Sequence, residues 1–495
     1  MTWWHNLPFF LIWTPLLLSS LTAALKPRAA RAMSVAVPLA GTIASGVLLY
    51  HCVQAGGSFL YALGEFGAPY GNELRAGALE ALLAFVFCLI LLLSVVGGYK
   101  RIDAHIAERR QSLYCVMILL LQAGLMAQLF TNDVFTAYVF IEIMTIAAGA
   151  LVVARTRGRT LFAATKYMIM NLLGSGLFLL GISVLYCLTG ELLMESIHEK
   201  VVELHAAGAY SKPLILCMAL ITIGLAVKSA LYPFHTWLPD AYASATPSSS
   251  AMLSSLVSKA YIFLYIKFVV RVFGFEVFRA THIQTVLLIC SSVGIILGSI
   301  DAILEKKLRR MVAYSSVAQI GYIYLGVAIG TELGVAAAVF HIIAHAVTKS
   351  QLFLTTPRLA AVSGNSLRFK NLQGCALRDP NAGLFFLIPS LSMIGIPIFA
   401  GFSSKLFFAL AAADRGGIKL ILVMLALAAS SLLNALYFIR TLIRIYTQSD
   451  SVKEKVRHHL DYNIPMAVLT LANLAMGLFS GVFAALIGQG FGLFY

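Results

Sequence analysis

The chain has 495 residues and a mass of 53.5 kDa; 60% of its residues are apolar, only 12% are charged, and its mean hydropathy is +0.87. Soluble domains carry about 25% charged residues, so this composition excludes both a water-soluble globule and a disordered chain. The net charge is +15, but the basic residues occur in short runs between apolar segments and form no basic, aromatic-rich domain, which argues against nucleic-acid binding. The seven cysteines never lie within three residues of each other, which excludes CxxC-type zinc, iron–sulfur and redox motifs.

Apolar stretches long enough to cross a bilayer follow one another along the chain. A helix needs about 20 apolar residues to span the roughly 30 Å hydrocarbon layer. No cationic region precedes the first stretch, which favours a retained span over a cleaved signal peptide. We therefore predict an all-α integral membrane protein with about 14 transmembrane helices. These helices are predicted at about residues 7–25, 32–53, 76–99, 112–130, 134–154, 161–189, 213–238, 250–273, 281–301, 308–329, 332–356, 383–412, 418–446 and 463–490.

The basic residues between the spans indicate an orientation. Connections after odd-numbered spans contain 23 lysines and arginines, whereas connections after even-numbered spans contain seven. Cytoplasmic loops are enriched in Lys and Arg, so the odd connections are predicted to be cytoplasmic and both termini to lie outside. We expect a multi-pass protein of the prokaryotic inner or plasma membrane.

When the 30 cations assigned to the connections are subtracted from the 36 in the chain, six remain, and all six are lysines inside predicted spans. A lysine at the centre of a membrane costs about 2.5–3.5 kcal/mol, so such residues are functional candidates. Lysine loses its proton readily on burial whereas arginine does not, so only lysine can load and unload a proton. Lys267 lies towards the outer end of its span, where snorkelling to the interface is the favoured alternative, and for Lys166 snorkelling and function are both open. The six are Lys166, Lys228, Lys259, Lys267, Lys349 and Lys405.

Glu142, in the fifth span, is the one carboxylate predicted to lie well inside the bundle. An unpaired buried carboxylate takes up a proton, so Glu142 needs a partner, and Lys228 in the seventh span is the candidate counter-ion. The alternative is a static ion pair that only holds two helices together.

Three titratable residues share one face of the eleventh span. His341, His345 and Lys349 are spaced i, i+4 and i+8, which aligns them along a helix. The residues between the histidines include no glutamate, so the HExxH zinc motif is absent. The stripe is consistent with a proton relay, and hydrogen-bonded core histidines are the alternative.

Two predicted spans contain helix-breaking residues. Pro233, Pro239 and Pro247 interrupt or end the seventh span, close to His235 and Asp240. The twelfth span is interrupted by Gly395, Pro397 and Gly401, just before Lys405. Broken helices are tolerated where their freed backbone groups line a polar cavity, and paired breaks in two halves indicate an ion path.

Several segments resemble a known family. KSALYPFHTWLPDAYASATP from Lys228, YVFIEI around Glu142, KYMIMNLLGSGLFLLGI from Lys166, AYSSVAQIGYI from Ala313, FHIIAHAVTK from Phe340 and GIPIFAGFSSK ending at Lys405 occur in order over about residues 110–410. They resemble the antiporter-like membrane subunits shared by respiratory complex I, Mrp-type sodium/proton antiporters and energy-converting membrane hydrogenases.

The resemblance implies a domain organisation. Helices 4–8 and 9–13 would form two inverted five-helix repeats with broken helices 7 and 12. The expected divisions are residues 1–110 for helices 1–3, 111–273 for the first repeat, 274–446 for the second repeat, and 447–495 for a loop and helix 14.

The resemblance also implies roles for residues. Glu142 and Lys228 match the family's acid and base pair, Lys259 its central lysine, and Lys405 its exit lysine. His341, His345 and Lys349 match the relay on the eleventh helix, and Lys166, His235 and Asp240 are accessory candidates.

The expected function is proton translocation by a membrane subunit of a redox-driven complex, such as an energy-converting hydrogenase or a complex I relative. The expected partners are other membrane subunits and the lipid bilayer. We expect no cofactor, no metal and no redox centre in this chain. The D-type component of a stand-alone Mrp-type Na+/H+ antiporter, a non-transporting scaffold and a polytopic membrane enzyme are the alternatives; the ion moved, H+ or Na+, is left open.

Overall fold

The computed structural model of this protein describes residues 3–63, 72–155, 158–208, 210–448 and 460–492. Four of the basic residues used above for the orientation, Arg157, Lys453, Lys455 and Arg457, lie outside these described residues. The described part of the chain is almost entirely helical, as the composition predicts.

The N-terminal part contains three long helices and a small hairpin. A 3₁₀ turn, Trp3–Asn6, leads into α1 (Leu7–Ala24) and α2 (Pro27–Ala55), and α3 (Ala78–His105) follows the hairpin. Its two antiparallel strands, β1 (Phe59–Ala62) and β2 (Glu73–Ala76), pair Phe59 with Ala76. This hairpin is an addition to the predicted all-α architecture.

The next group contains the first broken helix. It comprises α4 (Glu108–Phe130), α5 (Val134–Val153), α6 (Gly158–Thr189), the short α7 (Met194–Ala206) and α8 (Ser211–Ser229). At Ala230 the backbone turns left-handed, with φ of 63°, and the span continues through a 3₁₀ turn (Phe234–Trp237) into α9 (Leu238–Ser244). The predicted break in the seventh span is confirmed.

The eighth span is unbroken but irregular. It runs through α10 (Pro247–Met252), a π-helical turn (Leu253–Val257), α11 (Ser258–Lys267) and a second π-helical turn (Phe268–Phe273), and a short α12 (Gly274–Ala280) follows. Three regular helices come next: α13 (Ile283–Leu304), α14 (Leu308–Ile329) and α15 (Glu332–Ala361).

The C-terminal part contains the second break. After a 3₁₀ turn (Phe369–Asn371) and α16 (Cys375–Arg378), α17 (Pro380–Ile394) and α18 (Ala400–Arg415) form the two halves of the predicted twelfth span. Gly395 and Ile398 have positive φ angles of 93° and 83° between the halves. The chain continues with α19 (Gly417–Tyr446), α20 (Leu460–Leu478) and α21 (Ser480–Gly492).

Helices occupy all fourteen predicted stretches. Among the described residues, eleven helices are long and apolar enough to cross a membrane by themselves, or twelve if the bent pair α20 and α21, with an angle of 82°, counts as one span. The exact number of spans and the division into repeats stay predictions.

Burial separates a central set of helices from a peripheral set. We compare the share of buried residues in an apolar 18-residue segment of each helix. This share is 94% in α14 and 89% in α15, but only 39% in α6 and 33% in α19. The peripheral helices leave apolar faces uncovered, as lipid-facing helices do, whereas the central helices are enclosed by protein. Most polar side chains on α14 and α15 are therefore shielded from both lipid and bulk water.

Candidate functional site

Glu142 and Lys228 lie together at one end of a row of seven titratable side chains. The five between its ends are buried, whereas Glu142 and Lys405 at the two ends are partly exposed. Glu142 Oε1 on α5 is 3.7 Å from Lys228 Nζ on α8, and Lys228 is completely buried. Lys228 Nζ donates a hydrogen bond of 2.7 Å to Thr145 Oγ1, and Ser175 Oγ donates to Glu142 Oε1. The two charges form an ion pair whose separation is longer than a direct hydrogen bond, so a small movement can loosen it.

The broken helix positions Lys228. The residue lies in the last turn of α8, where the partial negative charge of the helix C-terminus favours a cation. Two glycines bring α6 and α8 into backbone contact, because a Cβ at Gly174 would lie 2.9 Å from the carbonyl oxygen of Gly224 and 3.0 Å from Lys228 Cγ. The stem of the lysine therefore packs against the α6 backbone without space for a larger residue.

Lys259 is a fully buried lysine on the eighth span, directly after a π-helical turn. Its Nζ donates to the carbonyl oxygen of Ser254 at 2.5 Å and to Ser258 Oγ at 3.1 Å. π-helical turns are rare and often occur at functional sites. Here the turn supplies a carbonyl group to the ammonium in place of a carboxylate.

Three serine side chains lie between Lys259 and Lys349 on α15. Ser254 Oγ lies 3.1 Å from Ser316 Oγ on α14, and the adjacent Ser315 accepts a hydrogen bond from Lys349 Nζ through its Oγ. Lys349 Nζ also donates to the carbonyl oxygen of Val312 at 2.8 Å. Lys259 is close enough to Lys349 to interact with it electrostatically. The two lysines therefore share a polar environment that extends from the eighth span to α14 and α15.

His341 and His345 extend this row along α15. Their rings stack with centroids 5.8 Å apart and an interplanar angle of 6°. His341 Nδ1 lies 2.6 Å from Ser404 Oγ, whereas neither ring nitrogen of His345 has a hydrogen-bond partner among the described residues. Both histidines are close enough to Lys259 for electrostatic interaction. The structure thus places all three predicted α15 residues on one buried stripe.

A small cavity joins the histidines to Lys405. It is lined by side chains that include Gln319, His341, His345, Thr348 and Lys405, and it leaves about 10 Å³ for the centre of a water molecule. A volume of about 10–15 Å³ on this measure holds one water. The cavity is therefore of the size at which a single water can bridge an imidazole and an amine.

The second broken helix positions Lys405 much as the first positions Lys228. Lys405 Nζ donates to the carbonyl oxygen of Ile394, the last residue of α17, at 2.7 Å, and to Ser431 Oγ at 2.9 Å. It lies 5.8 Å from the centroid of the Tyr322 ring, within the range of a cation–π interaction. Each lysine thus lies beside the negatively polarised end of a half-helix.

The accessory candidates lie apart from this row. Lys166 Nζ is 3.0 Å from Asp240 Oδ2, and Asp240 Oδ1 is 2.8 Å from Arg310, so the three side chains form one partly exposed ion network. His235 Nε2 lies 4.0 Å from Asp301 Oδ2. Within the described residues, no hydrogen bond or ion pair joins Lys166, His235 or Asp240 to the buried lysines.

A family model places the chain among known proteins. The model described as "NADH:quinone oxidoreductase/Mrp antiporter, TM" matches residues 131–432. The chain belongs to this family. All seven residues of the row, from Glu142 to Lys405, lie inside the matched region.

Two relatives of the antiporter-like family match most of the chain. It is 33% identical to the N subunit of the NADH-quinone oxidoreductase of Desulforudis audaxviator (strain MP104C), over 89% of this chain and 86% of the relative. It is 28% identical to the D-type component of the Na+/H+ antiporter of Bacillus subtilis (strain 168), over 90% of this chain and 88% of the relative.

Solved structures share the fold. A chain of the archaeal membrane-bound sulfane sulfur reductase superposes with a TM-score of 0.88 at 26% identity, covering 99% of this chain and 98% of the other. A chain of the Mrp complex from Dietzia sp. DQ12-45-1b superposes with a TM-score of 0.87 at 24% identity, covering 99% and 97%. The predicted multi-pass, all-α architecture of the antiporter-like family is confirmed.

The sequence analysis of this antiporter-like subunit did not predict the burial of several charged residues outside the row. Lys267 is fully buried, and its Nζ donates to the carbonyl oxygens of Gln128, Leu129 and Thr131 at the end of α4. The expectation that Lys267 snorkels to the interface is wrong, because these carbonyls, which have no partner within α4, satisfy its ammonium inside the protein.

Another carboxylate is buried much more deeply than Glu142, whose side chain is 24% exposed. Glu80 on α3 is 1% exposed and forms an ion pair with Arg271, which is 4% exposed. The expectations that Glu142 is the one carboxylate well inside the bundle and that the cations within the spans are all lysines are therefore wrong. The sequence did contain a signal for their burial, because both residues fall inside predicted apolar spans. Their pairing could not be predicted, because 191 residues of chain separate them.

Proposed function

We propose that this chain is the ion-translocating subunit of a multisubunit membrane complex and that it moves protons along the row from Glu142 to Lys405. The observation that carries the proposal is that seven titratable groups, five of them buried, follow one another across the bundle, with serine side chains and a small cavity between them and a lysine at each of the two helix breaks. A scaffold has no need for such a row, since each buried lysine opposes membrane insertion.

The first step is the separation of Glu142 from Lys228. Two unit charges about 4 Å apart attract by about 4 kcal/mol at an effective dielectric constant of about 20. Moving one charge through 100 mV of membrane potential is worth about 2.3 kcal/mol. A conformational step in a neighbouring subunit that withdraws Glu142 has to supply this energy. The ammonium of Lys228 then loses about 4 kcal/mol of stabilisation, which exceeds the membrane term, so its proton can move towards Lys259.

The proton then crosses from the eighth span to α14 and α15. Ser254 and Ser316 lie between Lys259 and Lys349, and the stacked histidines lead from Lys349 to the cavity beside Lys405. Among the described residues, Lys405 has no carboxylate within ion-pair distance, and its ammonium contacts only neutral oxygens and an aromatic ring. A cation held in this way is ready to release its proton to an exit path.

Substitution of Lys228 tests the proposal. The Lys228→Ala variant of the whole complex, in inside-out membrane vesicles, should assemble normally but lose proton pumping, measured with a pH-sensitive dye. Lys212→Ala, at the exposed start of the same helix, is the matched control and should pump normally. Undiminished pumping by Lys228→Ala would contradict the proposal and support the scaffold alternative.

The parent complex has two candidates. The NADH-quinone oxidoreductase relative and the sulfane sulfur reductase structure favour a redox-driven complex, whereas the relatives named for Na+/H+ antiporters favour an Mrp-type antiporter. We place the redox-driven complex first, because the relative at 33% identity and the structural neighbour at 26% identity are both named for redox complexes.

Affinity purification of the tagged chain distinguishes the two complexes. A peripheral arm containing iron–sulfur clusters or nickel would support the redox-driven complex, and small hydrophobic subunits alone would support the antiporter. Replacing Na+ by K+ in the vesicle assay then decides the ion, since proton movement that needs Na+ indicates exchange. We place the complex in a prokaryotic inner or plasma membrane, with both termini of this chain outside.

A further inference from the structure

A basic pocket lies away from the proton row, at one end of the helix bundle. It has a volume of about 590 Å³ and is formed where α5 ends and where α6 and α14 begin, next to α9. Among the side chains that line it there is one carboxylate, Asp240, and there are five cations. The cations are Arg155, Arg159, Lys307, Arg309 and Arg310.

The carboxylate in the pocket is already engaged. Asp240 pairs with Lys166 on one oxygen and with Arg310 on the other, and Arg310 also pairs with Glu305. The described lining side chains thus carry five formal positive charges against one negative charge. An anion in the pocket would relieve the repulsion among the positive charges.

Arg309 is held so that it can contribute a donor. It is 7% exposed, and one of its terminal nitrogens donates to the carbonyl oxygen of Ala245 at 2.7 Å and to Ser250 Oγ at 2.5 Å. Its Nε has no partner among the described residues, although it is buried. A buried guanidinium with an unused donor at a cavity wall is poised to bind an anion.

The pocket is also close to the lipid-facing surface. Phe162 lines it and is 68% exposed, and the preceding Leu161 is 60% exposed. Both residues lie in the first turns of α6, whose 32 residues exceed the about 20 needed to cross the hydrocarbon layer, so an end of this helix reaches the headgroup region. The wall therefore combines a cationic inner part with an apolar outer edge.

We propose that this pocket binds the phosphate of an anionic phospholipid headgroup, with the acyl chains lying along Leu161 and Phe162. Arginine pairs with phosphate through two parallel hydrogen bonds, and basic pockets between membrane helices bind anionic headgroups. The volume of about 590 Å³ is large enough for a headgroup rather than for a single small ion. The apolar edge favours a lipid over a soluble phosphate, because only a lipid has acyl chains that can cover it.

The test uses the purified, delipidated complex and phosphatidylglycerol as the probe. Addition of phosphatidylglycerol should raise the thermal unfolding midpoint of the wild-type complex, whereas phosphatidylcholine and inorganic phosphate should not. In Arg155→Gln/Arg159→Gln the apparent affinity for phosphatidylglycerol should fall about 30-fold, since each basic residue near the surface contributes about 1 kcal/mol of attraction. Arg415→Gln, an exposed arginine elsewhere in the chain, should respond like the wild type.

Each other outcome overturns the inference. Equal affinity of the double variant and the wild type would mean that these arginines do not hold the lipid. Stabilisation by inorganic phosphate equal to that by phosphatidylglycerol would assign the pocket to a soluble phosphate. Loss of a neighbouring subunit from the double variant, without any lipid effect, would assign it to an acidic protein segment. If the double variant does not fold, Lys307→Gln is titrated in the same way, with an expected loss of about fivefold.

Discussion

Gly395 allows Lys405 to reach the end of α17, and replacing it by alanine should impair translocation specifically. A Cβ at Gly395 would lie 3.1 Å from both Cδ and Nζ of Lys405, closer than ordinary van der Waals contact. The side chain of Lys405 would have to move away from the Ile394 carbonyl, with which Nζ now forms a hydrogen bond of 2.7 Å.

Two terms set the size of the effect. The φ of Gly395 is 93°, and a left-handed conformation costs a residue with a Cβ roughly 1–2 kcal/mol. A hydrogen bond from a charged group contributes about 1.5–3 kcal/mol, so its loss lowers the occupancy of the native Lys405 position roughly 10- to 100-fold. Both terms reduce stability, and the second should also reduce the rate of proton transfer through Lys405.

The control separates these terms. Gly56 ends α2 with a φ of 63°, and a Cβ placed there would meet nothing within 4 Å. Gly56→Ala should therefore show the backbone strain alone. Both variants are compared by thermal unfolding and by dye-monitored proton translocation in proteoliposomes of the whole complex. We expect Gly395→Ala to be the less stable variant, by up to about 1.5–3 kcal/mol, and to translocate protons at least about tenfold more slowly than Gly56→Ala; equal translocation in the two variants would refute the assigned position of Lys405.

Further substitutions separate stability from transport. Arg271→Met should destabilise the fold by about 3–5 kcal/mol because it leaves Glu80 buried without its ion-pair partner, and adding Glu80→Leu should restore most of this loss in an unfolding assay; additive losses would contradict the pairing. Lys267→Met should lower the unfolding midpoint without changing translocation, whereas Lys259→Met should abolish translocation; the reverse pattern would exchange their roles. His345→Leu should leave stability unchanged or slightly higher, since neither ring nitrogen has a partner among the described residues, yet slow translocation; a large drop in stability would indicate a structural histidine.

The two broken helices place a lysine beside a helix C-terminus at each end of the row. Lys228 lies in the last turn of α8, and Lys405 contacts the last carbonyl of α17. Each ammonium is thus stabilised in part by a helix terminus, whose charge does not titrate. Of these two lysines, only Lys228 has a carboxylate within ion-pair distance among the described residues, so the separable pair lies at the Glu142 end of the row.

The sequence alone determined the membrane class, the helical stretches, both helix breaks and the candidate titratable row. These features depend on local properties, because the length of an apolar run decides whether a helix can span the bilayer and proline and glycine act where they occur. The high cost of a buried charge makes a lysine such as Lys259 conspicuous in an apolar span without any knowledge of its neighbours.

The partners of each charge were decided only by the tertiary structure. Lys267 was expected at the interface but lies against the end of α4, about 138 residues earlier in the chain. The contact between Ser254 and Ser316, which joins the two halves of the row, depends on the packing of α14 against the eighth span. Spacing along one helix reveals which residues share a face, but contacts between distant segments arise from packing. Packing therefore decided which charges were buried in pairs, capped by backbone carbonyls or aligned in a row.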